Sequence, residues 1–213
     1  MRIILMKLLH LLSGLCATVL IIFPHSADAA LVSRLGDLAY YDDEADLTWL
    51  ADANYSLGTY GAPLDWVTAN EWVASLTVDG VGGWRLPSAL NGDGTGPCSG
   101  YDCTGSELGN MFYNVLGGTA FSSITVTHNS NYDLFTNIVP GIYWTGTERA
   151  DATSSAWTFR FDTGEQRSFS KSVGSFAWAV QSGDVGAVPV PAAMWLFSSG
   201  LIGLIGVARQ KKA

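Results

Sequence analysis

Between Ala30 and Val188 the side chains able to do chemistry are two cysteines, one histidine, 18 carboxylates and seven tryptophans. Cys98 and Cys103 share one Gly-rich loop. Outside a reducing cytoplasm such a pair closes into a disulfide, and two thiols with no further ligands make a poor zinc site. His128, in Thr127-His128-Asn129-Ser130, is the sole imidazole of this stretch. With no Gly-x-Ser-x-Gly elbow for it to serve, nucleophilic catalysis has no base-and-nucleophile pair, and an enzyme is not expected. Paired carboxylates for glycoside hydrolysis depend on a separation that only three dimensions define.

The carboxylates gather in turns. Asp42, Asp43, Glu44 and Asp46 form one, and Asp93 lies in the frame Asn91-Gly92-Asp93-Gly94-Thr95-Gly96 that reaches Asp102. A calcium loop needs oxygen ligands at alternating positions and a bidentate carboxylate at its end. This frame has Asn where the first Asp belongs and Asp where the last Glu belongs. Solvated turns are therefore the reading adopted and no cofactor is expected, with calcium at Asp42, Asp43, Asp46 or Asp93 as the alternative. Sugar rings are held by flat aromatic faces with carboxylates receiving the hydroxyls. Tyr143 and Trp144 at a strand end, with Glu148 beyond them, are the candidates for that role. Trp49, Trp84, Trp157 and Trp178 lie in apolar-patterned segments and are assigned to the core.

These side chains must be positioned by short elements. Leu38–Asp42 and Leu47–Leu50 read as strands around the acidic turn, a hairpin. Trp66, Val67, Trp72, Val73 and Leu76 recur at helical spacing, with Asp65 as N-cap and Gly80 past the end. A second helix starts at the capping box Thr104-Gly105-Ser106-Glu107, carries the stripe Leu108, Met111, Phe112, Val115 and Leu116, and stops at Gly117-Gly118. Trp157, Phe159 and Phe161 alternate with polar residues before the Thr163-Gly164 turn, and Phe176, Trp178 and Val180 alternate again. Two helices and an antiparallel sheet make an α+β domain.

The two ends follow different rules. Arg2 and Lys7 precede an apolar run from Leu8 to Phe23, and Ala27-Asp28-Ala29 fits small-x-small cleavage. Residues 1–29 thus read as a signal peptide removed by signal peptidase. A lipobox at Cys16 is disfavoured by the bulky Leu15 before it. At the other end, residues 192–208 are uncharged, about the minimum of roughly 17 apolar residues that span a bilayer. The basic end 209–212, with Arg209, Lys211 and Lys212, places the C-terminus in the cytoplasm and everything upstream outside. Residues 30–187 are left as one domain, in which six Lys and Arg face 18 Asp and Glu, a net of −12 (6 − 18). That charge excludes nucleic acid and favours basic partners or divalent cations.

Two resemblances add to this reading. The tail 188–213, with Pro189 and Pro191 ahead of the apolar run and the basic end, resembles a PEP-CTERM signal. The resemblance implies an exosortase-type sorting protease as partner, a transient membrane anchor, and release to the cell surface or extracellular matrix. The run Asp46–Tyr55, the Gly83-Trp84-Arg85-Leu86-Pro87 turn, Tyr143–Glu148 and Ala177–Val180 resemble the Lcl C-terminal domain family. This implies a C-type-lectin-like fold and adhesion or sulfated-glycan binding. Gln181 departs from the Arg that many of the family carry after Ala-Val. The function expected is non-covalent polysaccharide binding, with a structural matrix component as the alternative.

Overall fold

A computed structural model describes residues 31–186. The expected signal peptide over 1–29, with Ala27 and Ala29, and the expected sorting tail over 188–213, with Pro189, Pro191, Arg209, Lys211 and Lys212, lie outside the described residues. Among the described residues no helix is long and apolar enough to cross a membrane.

The acidic turn makes its hairpin. Strands β2 (Ala39–Asp42) and β3 (Leu47–Leu50) pair antiparallel, Ala39 opposite Leu50 and Asp42 opposite Leu47. Asp42 closes the turn itself, its Oδ1 accepting from the backbone N–H of Glu44 at 3.1 Å and of Ala45 at 3.2 Å. Strand β1 (Leu31–Arg34), which alternation does not reveal, extends this sheet on one side, and β7 (Val180–Ser182) closes it on the other. The order is β1-β2-β3-β7. A second antiparallel sheet holds β4 (Ile142–Glu148), β5 (Ser155–Arg160) and β6 (Gln166–Ser170). The domain is therefore α+β with two small sheets where one was expected.

Extended backbone from Phe176 to Ser182 stitches the two sheets together. Phe176 exchanges hydrogen bonds with β4, accepting from Trp144 N–H at 2.9 Å and donating to Ile142 O at 2.8 Å. Further along, Ala179 O accepts from Leu50 N–H, and Val180 pairs with both Trp49 and Arg85. The alternation of Phe176, Trp178 and Val180 is genuine, but it belongs to this crossing segment rather than to one strand.

Helix α1 (Tyr55–Tyr60) is short and was not foreseen, because its sequence carries no apolar stripe. Helix α2 (Trp66–Ser75) begins where expected, with Asp65 Oδ1 accepting from Thr68 N–H, and buries Ala69, Trp72 and Val73. Helix α3 (Glu107–Asn110) runs into a π-turn over Met111–Val115. Its N-cap is Ser106, not Thr104 of the expected box, since Ser106 Oγ accepts from Gly109 N–H. Glu107 is thereby released from capping to face Arg85. Gly109 is required here: a Cβ would sit 1.8 Å from Cys103 O. A 3-10 turn spans Ser130–Leu134.

Among the described residues one apolar cluster binds every layer. Trp178 lies at its centre, edge-on to Trp49 (5.2 Å) and to Phe135 (5.2 Å), with Phe161 and Tyr143 beside it. Phe112 from the π-turn meets Phe159 and Phe161 of the second sheet. Offset and edge-to-face pairs like these add about 0.5–1.5 kcal/mol each beyond area burial. Trp49, Trp84 and Trp178 are core as expected, whereas Trp157, opposite the polar Ser168 on β6, is only half-buried and stands outside the cluster.

Candidate functional site

Tyr143 and Trp144 do not offer an aromatic face to a ligand, contrary to the sequence expectation. Both are fully buried. Trp144 Nε1 donates to Leu64 O at 2.8 Å, and Tyr143 Oη accepts from Val139 N–H at 2.8 Å. Desolvation pushes the Tyr143 phenol far above its ordinary range, so it stays neutral. The physical reason is the bulge in β4 between Trp144 and Glu148, together with the Phe176 segment laid against Tyr143. A strand end that reads as an edge is in fact covered. Glu148 is exposed and pairs with Lys171, whose ammonium also lies 4.2 Å from the centre of the Trp66 ring.

The carboxylates considered for calcium serve local structure. Asp42 is buried beneath its own turn, and desolvation raises its carboxyl pKa against the lowering effect of the Ala45 and Glu44 N–H groups. Asp46 accepts from Tyr41 Oη at 2.9 Å, while Asp43 is exposed. Asp93 accepts from both Thr95 Oγ1 and Thr95 N–H, which lower its pKa. Among the described residues no three of the His, Cys, Asp and Glu side chains converge as a metal cage would require. Cys98 and Cys103 form the expected disulfide, and the Gln166 amide pins their loop by donating to Cys98 O at 2.7 Å. His128 is exposed and stacks on Tyr132.

The surface feature best suited to hold a ligand lies elsewhere, where β2, the end of β3 and α1 meet the loop 134–140. Two adjoining hollows of about 580 and 670 Å³ share Asp52 and Tyr55. Hollows of about 300–1,000 Å³ are the usual size of small-ligand sites. Their floor is fixed: Ala53 N–H donates to Thr136 O at 2.9 Å and Thr136 N–H to Ala51 O at 2.8 Å. Tyr40 in the wall packs edge-on against Phe135, which packs against Trp178, so the groove is built directly on the core. Leu38, Tyr55 and Leu134 stand at 48%, 43% and 37% exposure, a local concentration of apolar surface that water does not favour.

Polar groups punctuate that surface. Asp37, Asp52 and Asp79 all line it. Asp52 Oδ1 accepts from Asn54 N–H, while Oδ2 has no partner among the described residues. Asp37 is close enough to Tyr40 for its charge to raise that phenol's pKa, after desolvation. Asn54 precedes α1 but does not cap it with its side chain, and at 5% exposure it lines the second hollow with its amide unpartnered among the described residues.

A second pair of hollows, about 490 and 340 Å³, flanks Ser88 and Glu107. The charges at its centre are matched, while Glu44 at the edge of the larger hollow has no cationic partner among the described residues. Arg85 makes a two-pronged pair with Glu107, both contacts 2.7 Å, and also reaches Ser182 Oγ at 3.0 Å. Glu107 additionally accepts from Ser88 N–H at 2.8 Å. Planar pairs of this kind fix geometry as well as adding energy. The junction clamps the Gly83–Pro87 turn to α3 and β7.

Sequence reasoning passed over Asp52, Asn54 and Tyr55 as a site. The available signal was the polar-aromatic cluster that ends the apolar β3 run, at the point where a strand gives way to an irregular turn.

No curated protein matches the chain. The family model described as the Lcl C-terminal domain matches residues 39–181, a span that takes in β2 to β6, the start of β7, and the groove except for Asp37 and Leu38. On that match the chain belongs to the Lcl C-terminal domain family.

Proposed function

We propose that this protein binds polysaccharide non-covalently through the Asp52–Tyr55 groove, and that it does so at the cell surface or in the extracellular matrix. The observation that carries this reading is the groove's composition. Exposed Tyr55 offers a flat face for sugar C–H groups, Asn54 offers a donor and an acceptor, and three carboxylates can receive hydroxyls. A C-type-lectin-like architecture, which the resemblance implies, is consistent with two small antiparallel sheets and few helices. The reading of the ends complements it: a signal peptide over 1–29 for export, and a PEP-CTERM tail over 188–213 that an exosortase-type protease cuts after membrane insertion. No catalytic role is proposed and no cofactor is required.

The alternative, a structural matrix component without a specific ligand, is separated by one experiment. Protein is passed over glycan arrays and over exopolysaccharide extracted from the producing cells, with calcium and with chelator. Saturable retention supports a binding module. Retention lost in chelator transfers the argument to the turn carboxylates Asp42, Asp43, Asp46 and Asp93, and absence of retention on every surface favours the structural role.

A further inference from the structure

All six Lys and Arg of the described residues are held in ion pairs: Arg34 with Asp184, Arg85 with Glu107, Arg149 with Asp151, Arg160 with Asp162 and Glu165, Arg167 with Glu165, and Lys171 with Glu148. Those pairs engage six carboxylates and leave the other 12 of the 18 without a cationic partner among the described residues. The described residues carry an excess of negative charge, and part of it gathers in the groove: Asp37, Asp52 and Asp79 line it with no Lys, Arg or His. A sulfated or uronic polymer would meet like charge there, and like charges brought together in a partly desolvated hollow are repelled more strongly than in water.

We propose that the groove selects an amine-bearing polysaccharide, a partly deacetylated amino-sugar polymer whose ammonium groups pair with these three carboxylates. The inference rests on the groove being a glycan site. Charge complementarity chooses the occupant, and the Asn54 side chain, which lines the adjoining hollow and makes no hydrogen bond among the described residues, adds a polar group beside the carboxylates. Tyr55 covers the sugar's apolar face, Asn54 reads a hydroxyl, and each carboxylate takes an ammonium. A basic peptide would satisfy the carboxylates, but it makes less use of an amide and hydroxyls (Thr77, Thr136) around a flat ring.

The test uses the full chain in detergent at about pH 6, above the ordinary carboxylate range. Chitosan oligosaccharides, their fully N-acetylated counterparts, heparin and polylysine are compared as probes. The expected order is chitosan above the N-acetylated form, with heparin excluded. Chitosan affinity falls about tenfold in the triple variant Asp37→Asn, Asp52→Asn, Asp79→Asn and falls with added salt, while Glu71→Gln, on the exposed face of α2, is neutral. Asn keeps the acceptor that meets Asn54 N–H and tolerates the left-handed φ of Asp37 (68°) and Asp79 (49°), so the triple variant folds, as a melting curve will verify. Equal affinity for the amine and N-acetyl forms, lost in Tyr55→Ala, overturns this inference and leaves the glycan reading standing. Preference for heparin overturns it too. Retention on polylysine alone replaces the glycan with a basic protein partner, and no retention on any probe defeats both readings.

Discussion

The Arg85–Glu107 junction and the Asp52–Tyr55 groove are both polar places on an apolar frame, yet one is closed and the other open. At the junction both terminal nitrogens of Arg85 meet acceptors, Ser88 N–H meets Glu107, and a guanidinium and a carboxylate cancel. In the groove three carboxylates have no cation, an amide has no partner among the described residues, and a tyrosine ring faces water. Matched charge holds three chain segments in place; unmatched polarity beside exposed apolar surface is the contrast on which the proposed binding site rests. The comparison separates residues whose loss unfolds the protein from residues whose loss silences it.

The sharpest way to break that comparison is with aromatics. Trp144→Ala removes a fully buried ring and its hydrogen bond to Leu64. It is expected to cost about 3–5 kcal/mol in urea unfolding, with any loss of binding tracking the loss of folded protein. Arg85→Ala comes next, stranding Glu107 at the junction. Arg85 is itself 37% exposed, so the cost is held to about 1–2 kcal/mol, measured in the same way. In contrast, Tyr55→Ala is expected to change stability by only about 0.5 kcal/mol, because the residue is 43% exposed, and to remove glycan retention. A destabilisation by Tyr55→Ala as large as that by Trp144→Ala would erase the distinction.

The smallest effect concerns Asp42, a carboxylate that is neither paired nor open. Burial raises its folded pKa, so the native state holds a proton more tightly than the unfolded chain does, and ionisation of Asp42 lowers stability as pH rises through that raised value. Asp42→Asn keeps the acceptor for Glu44 and Ala45 N–H, removes the buried charge, and gives up only the long 3.5 Å contact in which Asn110 Nδ2 donates to Asp42 Oδ2. It is expected to stabilise the protein modestly at neutral pH, with the gain shrinking as melting curves are taken down toward about pH 4. A gain that persists at acid pH would mean that charge burial is not the cause.

Local chemistry carried much of this fold. The Asp65 cap, the hairpin around Asp43–Asp46 and the β5 alternation are all written in spacing, since each depends on neighbours in sequence. What escaped depends on distant partners. Trp144 reads as a strand-end aromatic, and only the Phe176 segment folded against β4 buries it. Glu107 reads as a capping-box residue, and only Arg85, 22 positions earlier, shows its true partner. The groove was the least legible, because Asp37, Asp52, Asp79 and Leu134 come from four separate stretches, of which the Thr136 bridge to β3's end joins only the second and fourth. The disulfide was legible because its cysteines are close neighbours.

Amide hydrogen exchange of the full chain, with and without polysaccharide extracted from the producing cells, tests the central claim most directly. Ligand should slow exchange in residues 52–60 and in the loop 134–140, and leave 85–88 and 104–110 unchanged. Protection centred on the Arg85–Glu107 junction, or none in either region at saturating polysaccharide, would contradict the assignment of the groove as the binding site.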